Sequence, residues 1–124
     1  NKNKLMKIKD VAKGGGNFVS TTMKSILNEA VKIEASKIIL IHNHPRGLPP
    51  SVSDLNELLN HKDTSGITVG NNGSIYYYTR PSKKIREFDV SVAKRKCKGY
   101  NEYEYMEEIL KELSKKFNFQ IVKL

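Results

Sequence analysis

The sequence predicts an α+β (α/β layered) domain, a mixed β-sheet with flanking helices. Three observations carry that prediction. Helical-period and β-rich stretches alternate along the chain. GITVGNNGSIYYYT sets two β-rich runs around a turn. A length of 124 residues is that of one domain able to bury a core.

From the N-terminus, NKLMKIKDV has β character broken by lysines and predicts an edge strand, where charges discourage stray pairing. KGGGNF, residues 13–18, predicts a turn or a close backbone approach. It is no nucleotide loop, because the lysine precedes the glycines and no Gly-Lys-Ser/Thr follows them. STTMKSILNEAVKIEA places Met23, Ile26, Leu27, Ala30 and Val31 at helical spacing, with Ser20, Thr21 and Thr22 available as caps. SKIILI reads as a buried strand, and DLNELLNH as a short helix presenting Leu55, Leu58 and Leu59. The hairpin turn falls on Asn71, Asn72 and Gly73, residue types that tolerate positive φ. Tyr76, Tyr77 and Tyr78 alternate faces of the returning strand, with at least one in the core. A helix begins at Asp89 or Ser91 and runs toward Lys98, where Gly99 ends it. NEYEYMEEILKELSKKF forms another, with Tyr105, Met106, Ile109, Leu110 and Leu113 as its apolar side, and FQIVKL closes the chain as a strand. There is no internal repeat and no low-complexity segment.

Composition narrows the function classes. No apolar run approaches the roughly 20 residues of a membrane helix; the longest, around Lys37 to Ile41, is strand-sized. No signal peptide is visible. The lone cysteine, Cys97, excludes an internal disulfide and a cysteine-rich zinc knuckle, which fits a reducing, cytoplasmic setting. Lying between Lys96 and Lys98, Cys97 has surroundings that would lower its pKa, but no histidine is near it in sequence. Lys and Arg number 22 against 13 acidic residues, a net +9 that is unevenly spread. Residues 1–13 carry Lys2, Lys4, Lys7, Lys9 and Lys13 against Asp10. Residues 80–98 carry Arg80, Lys83, Lys84, Arg86, Lys94, Arg95, Lys96 and Lys98 against Glu87 and Asp89. Such blocks are either a solvated face or a surface for an acidic partner or nucleic acid. In the second case Lys83, Lys84, Arg86, Lys94, Arg95, Lys96 and Lys98 are the candidate phosphate contacts. No helix-turn-helix, zinc-finger or single-strand-binding signature accompanies them.

The candidate chemistry concentrates in IHNHPRGLPPSVSD, residues 41–54, which hold two of the three histidines. If the strand extends through His44, His42 and His44 share one of its faces and Asn43 takes the other. Pro45 favours this by biasing His44 toward extended dihedrals. Gly47, Pro49 and Pro50 then carry the chain through a turn, and Asp54, in the first turn of the next helix, can swing its carboxylate back toward the imidazoles. Two imidazole nitrogens and a carboxylate oxygen at about 2.0–2.2 Å, with water in fourth place, describe an open catalytic zinc site. Borderline-soft zinc suits such mixed ligands better than magnesium does. The plainer reading is a capping box, with Ser51 at N-cap and Asp54 at N3, which needs no metal. His61, at the end of the short helix, reads as a surface or C-capping histidine.

ILIHNHPRGLPPSVSDLN resembles the core of the JAB/MPN metalloprotease fold, whose signature is His-X-His, a short loop, then Ser-X-X-Asp. The form His-Asn-His-Pro-X-Gly is similar to the RadC-like bacterial branch, and related domains occur in phage head-morphogenesis and mobile-element proteins. ILNEAVKIEASKIILI resembles the helix and strand leading into that motif, so the likeness covers residues 5–80. It implies a cytidine-deaminase-like JAB/MPN core over residues 1–88, lacking its first strand, with residues 89–124 a C-terminal helical extension packed on the same domain. It implies zinc as cofactor, His42, His44 and Asp54 as ligands, and Ser51 as the catalytic serine that stabilises the oxyanion. The implied substrate is a peptide or protein cut at a peptide or isopeptide bond.

Two departures accompany the likeness. The loop from His44 to Ser51 is one residue shorter than the RadC pattern. The family's general-base glutamate sits on an early strand, whereas here no glutamate precedes Glu29. Glu29 and Glu34 fall on the predicted helix before SKIILI, and Asp10 is the only acidic residue upstream of that helix. With Asn1 where a methionine would start a gene product, the expectation is a fragment whose general base lies before Asn1. Such a chain would hydrolyse little or nothing by itself. The alternative class is a non-catalytic nucleic-acid- or protein-binding domain that uses its basic segments and keeps the metal fold as scaffold.

Overall fold

The computed structural model describes residues 36–124. The sequence-predicted edge strand, glycine turn and first helix, with Asp10, Glu29 and Glu34, lie outside the described residues. Residues Ile39–Leu124 form one compact unit. Its elements are β1 (Ile38–Asn43), α1 (Val52–Glu57), a 3-10 turn (Leu58–Asn60), β2 (Thr64–Val69), β3 (Ile75–Thr79), α2 (Glu87–Lys94), α3 (Glu102–Phe117) and β4 (Ile121–Lys123). The strands form one mixed sheet in the order β1-β2-β3-β4, the α+β arrangement that the sequence predicts. β2 and β3 pair antiparallel from Ser65 opposite Thr79 to Val69 opposite Ile75, and β4 adds antiparallel to β3 with Tyr76 opposite Lys123.

Burial along β1 follows the period of two of a pleated strand. Ile38 is buried and Leu40 and His42 half-buried, whereas Ile39 and Ile41 are 49% and 65% exposed. The expectation of a buried strand is therefore corrected to one covered on a single face among the described residues. The same alternation carries both histidines onto the covered side.

The β2–β3 hairpin closes through Gly70 N–H to Ser74 O at 2.8 Å and Gly73 N–H to Gly70 O at 3.0 Å. Of the three turn residues singled out, Gly73 alone takes the left-handed region, at φ 88. Asn71 and Asn72 serve as side-chain acceptors instead, for Asn43 Nδ2 at 3.1 Å and Ser74 N–H at 3.0 Å. Tyr76 and Tyr78 point to one face of β3 and are nearly fully buried. Gly66 makes room for Tyr78: a Cβ there would lie 2.1 Å from the phenol Cζ.

The core joins Leu55 and Leu58 to Tyr78, Ile85, Ala93, Ile109, Leu110, Leu113, Phe117 and Phe119. Each fully buried apolar side chain contributes about 1.5–3 kcal/mol. Asn56 ties α1 to the segment before α2, accepting from Ile85 N–H at 2.9 Å and donating to Ile85 O at 3.0 Å.

The helix expected from Asp89 or Ser91 to Lys98 occupies Glu87–Lys94 instead. Asp89 is its third residue, and its Oδ2 accepts the Arg86 N–H at 3.0 Å, which starts the helix earlier. After Lys94 the chain tightens into turns, with Lys96 N–H on Ala93 O and Cys97 N–H on Lys94 O, so the helix ends before Gly99. α3 begins at its N-cap Asn101, whose side chain accepts the Glu104 N–H, and stops at Asn118 in the left-handed conformation, φ 53. Its buried side is Ile109, Leu110, Leu113 and Phe117, whereas Tyr105 and Met106 are only half-buried.

Candidate metal centre

The site forms where the end of β1 meets the start of α1. His42 is on β1, and His44 lies just past its end, still held to the sheet by its N–H on Val69 O at 2.9 Å. His42 Nε2 lies 3.3 Å from Asp54 Oδ1, and His44 Nε2 lies 3.2 Å from Asp54 Oδ2. The two Nε2 atoms are 2.8 Å apart. All three side chains are half-buried, so the cluster is sheltered yet reachable from solvent. These three residues form a group that could hold a metal ion.

His44 Nδ1 sits 3.1 Å from Leu48 O. A carbonyl only accepts, so Nδ1 carries the hydrogen, and Nε2 is the ring atom turned to the cluster, donating to Asp54 when the ring is protonated and open to a metal when it is neutral. Asp54 works in two directions. Its Oδ2 accepts the Ser51 N–H at 2.8 Å while its own N–H donates to Ser51 Oγ at 3.1 Å, the reciprocal capping box. One carboxylate thus closes the helix and faces both imidazoles, so the capping and metal readings occupy the same atoms.

Burial of Asp54 opposes its charge, but hydrogen bonds from His42 and His44, the His42 charge and the Ser51 N–H outweigh it. The carboxyl is held well below the usual range. The hydrogen bond to Asp54 raises the His44 pKa against the desolvation that lowers it.

Sequence reasoning missed several neighbours. Glu57, one turn after Asp54 on α1, has its pKa raised by partial burial and by the Asp54 charge; the i, i+3 spacing could have found it. The Leu48 carbonyl leaves no signal in side-chain identity. Tyr103, outside the apolar side predicted for its helix, donates its hydroxyl to Arg46 O at 2.6 Å.

The other singled-out residues lie apart from the cluster. His61 caps the 3-10 turn and accepts the Asp63 N–H at Nδ1, as expected of it. Cys97 shows no sign of an activated thiol: burial and the charges of Glu108 and Glu112 raise its pKa, against the pull of the flanking lysines, and the thiol donates to Ala93 O. Lys83, Lys84, Arg86, Lys94, Arg95, Lys96 and Lys98 are all exposed, along the approach to α2, its last turn and the turns after it. Among the described residues no helix is long and apolar enough to cross a membrane.

Comparison with known proteins agrees with this geometry. The family model for the RadC-like JAB domain matches residues 1–68. A UPF0758 protein of Clostridium perfringens is 46% identical over 56 residues, 44% of this chain and 25% of that protein. One from Aquifex aeolicus is 49% identical over 55 residues, 44% of this chain and 24% of that protein. One from Geotalea uraniireducens is 30% identical over 89 residues, 64% of this chain and 39% of that protein. The chain spans about a quarter to two fifths of the length of these curated relatives. No solved structure matches it. The matched stretch takes in both histidines, the loop, Ser51 and Asp54 and exceeds half the sequence, and on that basis the chain belongs to the RadC-like JAB domain family.

Proposed function

We propose that this chain carries the metal-binding part of a zinc-dependent hydrolase that cuts a peptide or isopeptide bond in a protein substrate. The observation that supports it best is the convergence of His42 Nε2, His44 Nε2 and an Asp54 oxygen. Ligands placed tetrahedrally at about 2.1 Å around one ion stand about 3.4 Å apart. The separations here, 2.8 to 3.3 Å, are close to that. Two nitrogens and one carboxylate oxygen also match the borderline-soft donor set that zinc prefers.

His42, His44 and Asp54 would hold the ion. When bound, zinc lowers the pKa of a coordinated water to about 7 and polarises carbonyl oxygens. The chain's own residues do the rest. The Leu48 carbonyl fixes the His44 tautomer, and Asp54 stays ionised because both imidazoles and the Ser51 N–H hold it so. Ser51 Oγ accepts the Asp54 N–H, which leaves its hydroxyl hydrogen free to donate to the oxygen where negative charge develops. Asp54 is itself a proposed ligand, so for the general base we propose a further residue, a glutamate on a strand before Asn1.

The test pairs this chain with a version extended upstream through the next strand. Both are assayed with zinc on peptide and isopeptide substrates. Turnover by the extended form alone is expected. Turnover by neither form would overturn hydrolysis, and turnover by the short form that is abolished by Glu57→Gln would move the base onto α1.

One observation favours a second reading, nucleic-acid binding. Phe88, within the basic segment, and Tyr100, two residues after it, are 71% and 98% exposed, a pairing of cations and stacking surfaces suited to single strands. Binding through several phosphates would weaken roughly tenfold or more between 50 and 200 mM salt. No binding to DNA or RNA at 50 mM would retire it.

A further inference from the structure

We infer that the first turn of α3, through Glu102 and Tyr103, is a positioning element of the metal centre, setting the ring of His44 from more than fifty residues away. The inference rests on reading His42, His44 and Asp54 as metal ligands. The loop between His44 and Ser51 carries the Leu48 carbonyl that receives His44 Nδ1–H. That loop has little regular structure, so its path depends on what grips it. The hairpin turn grips one side: Asn71 N–H reaches Pro45 O at 3.4 Å, and Gly47, at φ 73, packs against the Asn72 side chain. A Cβ on Gly47 would lie 2.2 Å from Asn72 Oδ1, so a side chain there would have to displace Asn72 and would be strained at this φ.

α3 grips the other side, and it takes hold of one residue twice. Tyr103 Oη donates to the Arg46 carbonyl at 2.6 Å, and the Glu102 carboxylate pairs with the Arg46 guanidinium. Arg46 stands two residues before Leu48 and two after His44. An exposed ion pair adds little to stability, about 0–1 kcal/mol. Its use here is geometric, because it fixes the backbone of a short loop whose next carbonyl but one sets a ligand's tautomer. Released, Leu48 O would leave His44 free to rotate or to protonate Nε2, and either change removes a donor from the cluster. The family match ends at residue 68, so α3 lies beyond the matched stretch.

Two readouts on the 124-residue chain test it. One is zinc affinity by competition with a chromogenic chelator. The other is the NMR signal of the His44 Nδ1–H in the metal-free chain, which a held ring protects from exchange. Tyr103→Phe combined with Glu102→Gln should weaken zinc binding roughly three- to tenfold, less than the 10–100-fold cost of losing a direct ligand partner. The Nδ1–H should lose protection while Tm in chelator stays within a few degrees. The charge swap Arg46→Glu with Glu102→Arg, keeping Tyr103, should restore most of the affinity that Glu102→Gln loses. Affinity within twofold and an Nδ1–H still protected would overturn the inference. So would weaker binding accompanied by a lowered Tm and an unchanged Nδ1–H signal, which is loss of fold rather than of ring position. If the unsubstituted chain binds no zinc, the ligand reading fails instead.

Discussion

Asp54 and Ser51 share one capping box, and separating their roles gives the sharpest mutational prediction. Asp54→Asn keeps the size of the side chain and an oxygen that can still accept the Ser51 N–H, now at 2.8 Å. It removes the negative charge that faces both imidazoles. Ser51→Ala does the reverse: it deletes the acceptor of the Asp54 N–H and leaves all three proposed ligands in place. Loss of an N-cap side chain costs about 0.5–2 kcal/mol. For a domain of this size that lowers Tm by roughly 2–8 °C. Asp54→Asn should instead lower zinc affinity by more than the roughly 10–100-fold that losing an outer-shell partner of a ligand costs. Calorimetry in chelator and a zinc competition titration on both variants separate the two roles. Ser51→Ala loses stability but binds zinc within a few-fold of the parent, whereas Asp54→Asn loses zinc together with the stability that its ionised carboxylate contributes. Equal zinc affinity in Asp54→Asn and the parent would refute the reasoning, because the carboxylate would then be a helix cap and nothing more.

Further outcomes follow from the same geometry. His44 has a raised pKa in the fold, so its contribution is complete below the ordinary 6.5 and lost as pH climbs through the raised value. Asp54, lowered in the fold, contributes above its ordinary 3.8 and loses that only as pH falls toward its depressed value. Tm in chelator should therefore fall as pH climbs above 6.5, whereas Tm with excess zinc should rise over the same interval as protons cease to compete; parallel curves would contradict this. Gly66→Ala forces a Cβ to within 2.1 Å of Tyr78 Cζ, and should destabilise by about 1–3 kcal/mol in thermal melts; an unchanged Tm would show that Tyr78 can move. Cys97 should react with a thiol reagent at pH 7.5 more slowly than free cysteine, since burial and Glu108 and Glu112 raise its pKa; a faster rate would mean that the flanking lysines dominate.

Local features were legible in the sequence wherever neighbouring residues determine them. The alternation Ile38, Leu40, His42 placed both imidazoles on one side of β1, and Ser51-X-X-Asp54 named the cap and the third proposed ligand together. The hairpin was readable from its β-rich flanks, although the asparagines act through their side chains rather than through positive φ. Distant contacts were not legible. The start of α2 was misplaced because an internal acidic residue, Asp89, reaches back to Arg86 and pairs with Lys116, 27 residues further on. The exposure of Ile39 and Ile41 depends on what packs over β1, which an apolar run cannot reveal. At the site, Leu48 acts through its carbonyl and Tyr103 through a contact 57 residues away, and neither leaves a motif.

The most direct test of the proposed centre is elemental analysis of the chain after gentle purification, beside His42→Ala and His44→Ala variants at matched concentration. About one zinc per chain is expected in the parent, and much less than one in each variant whose fold is confirmed by its Tm. A parent without stoichiometric metal even after incubation with zinc, or variants that keep the parent's full complement, would contradict the assignment of His42, His44 and Asp54 as the ligands.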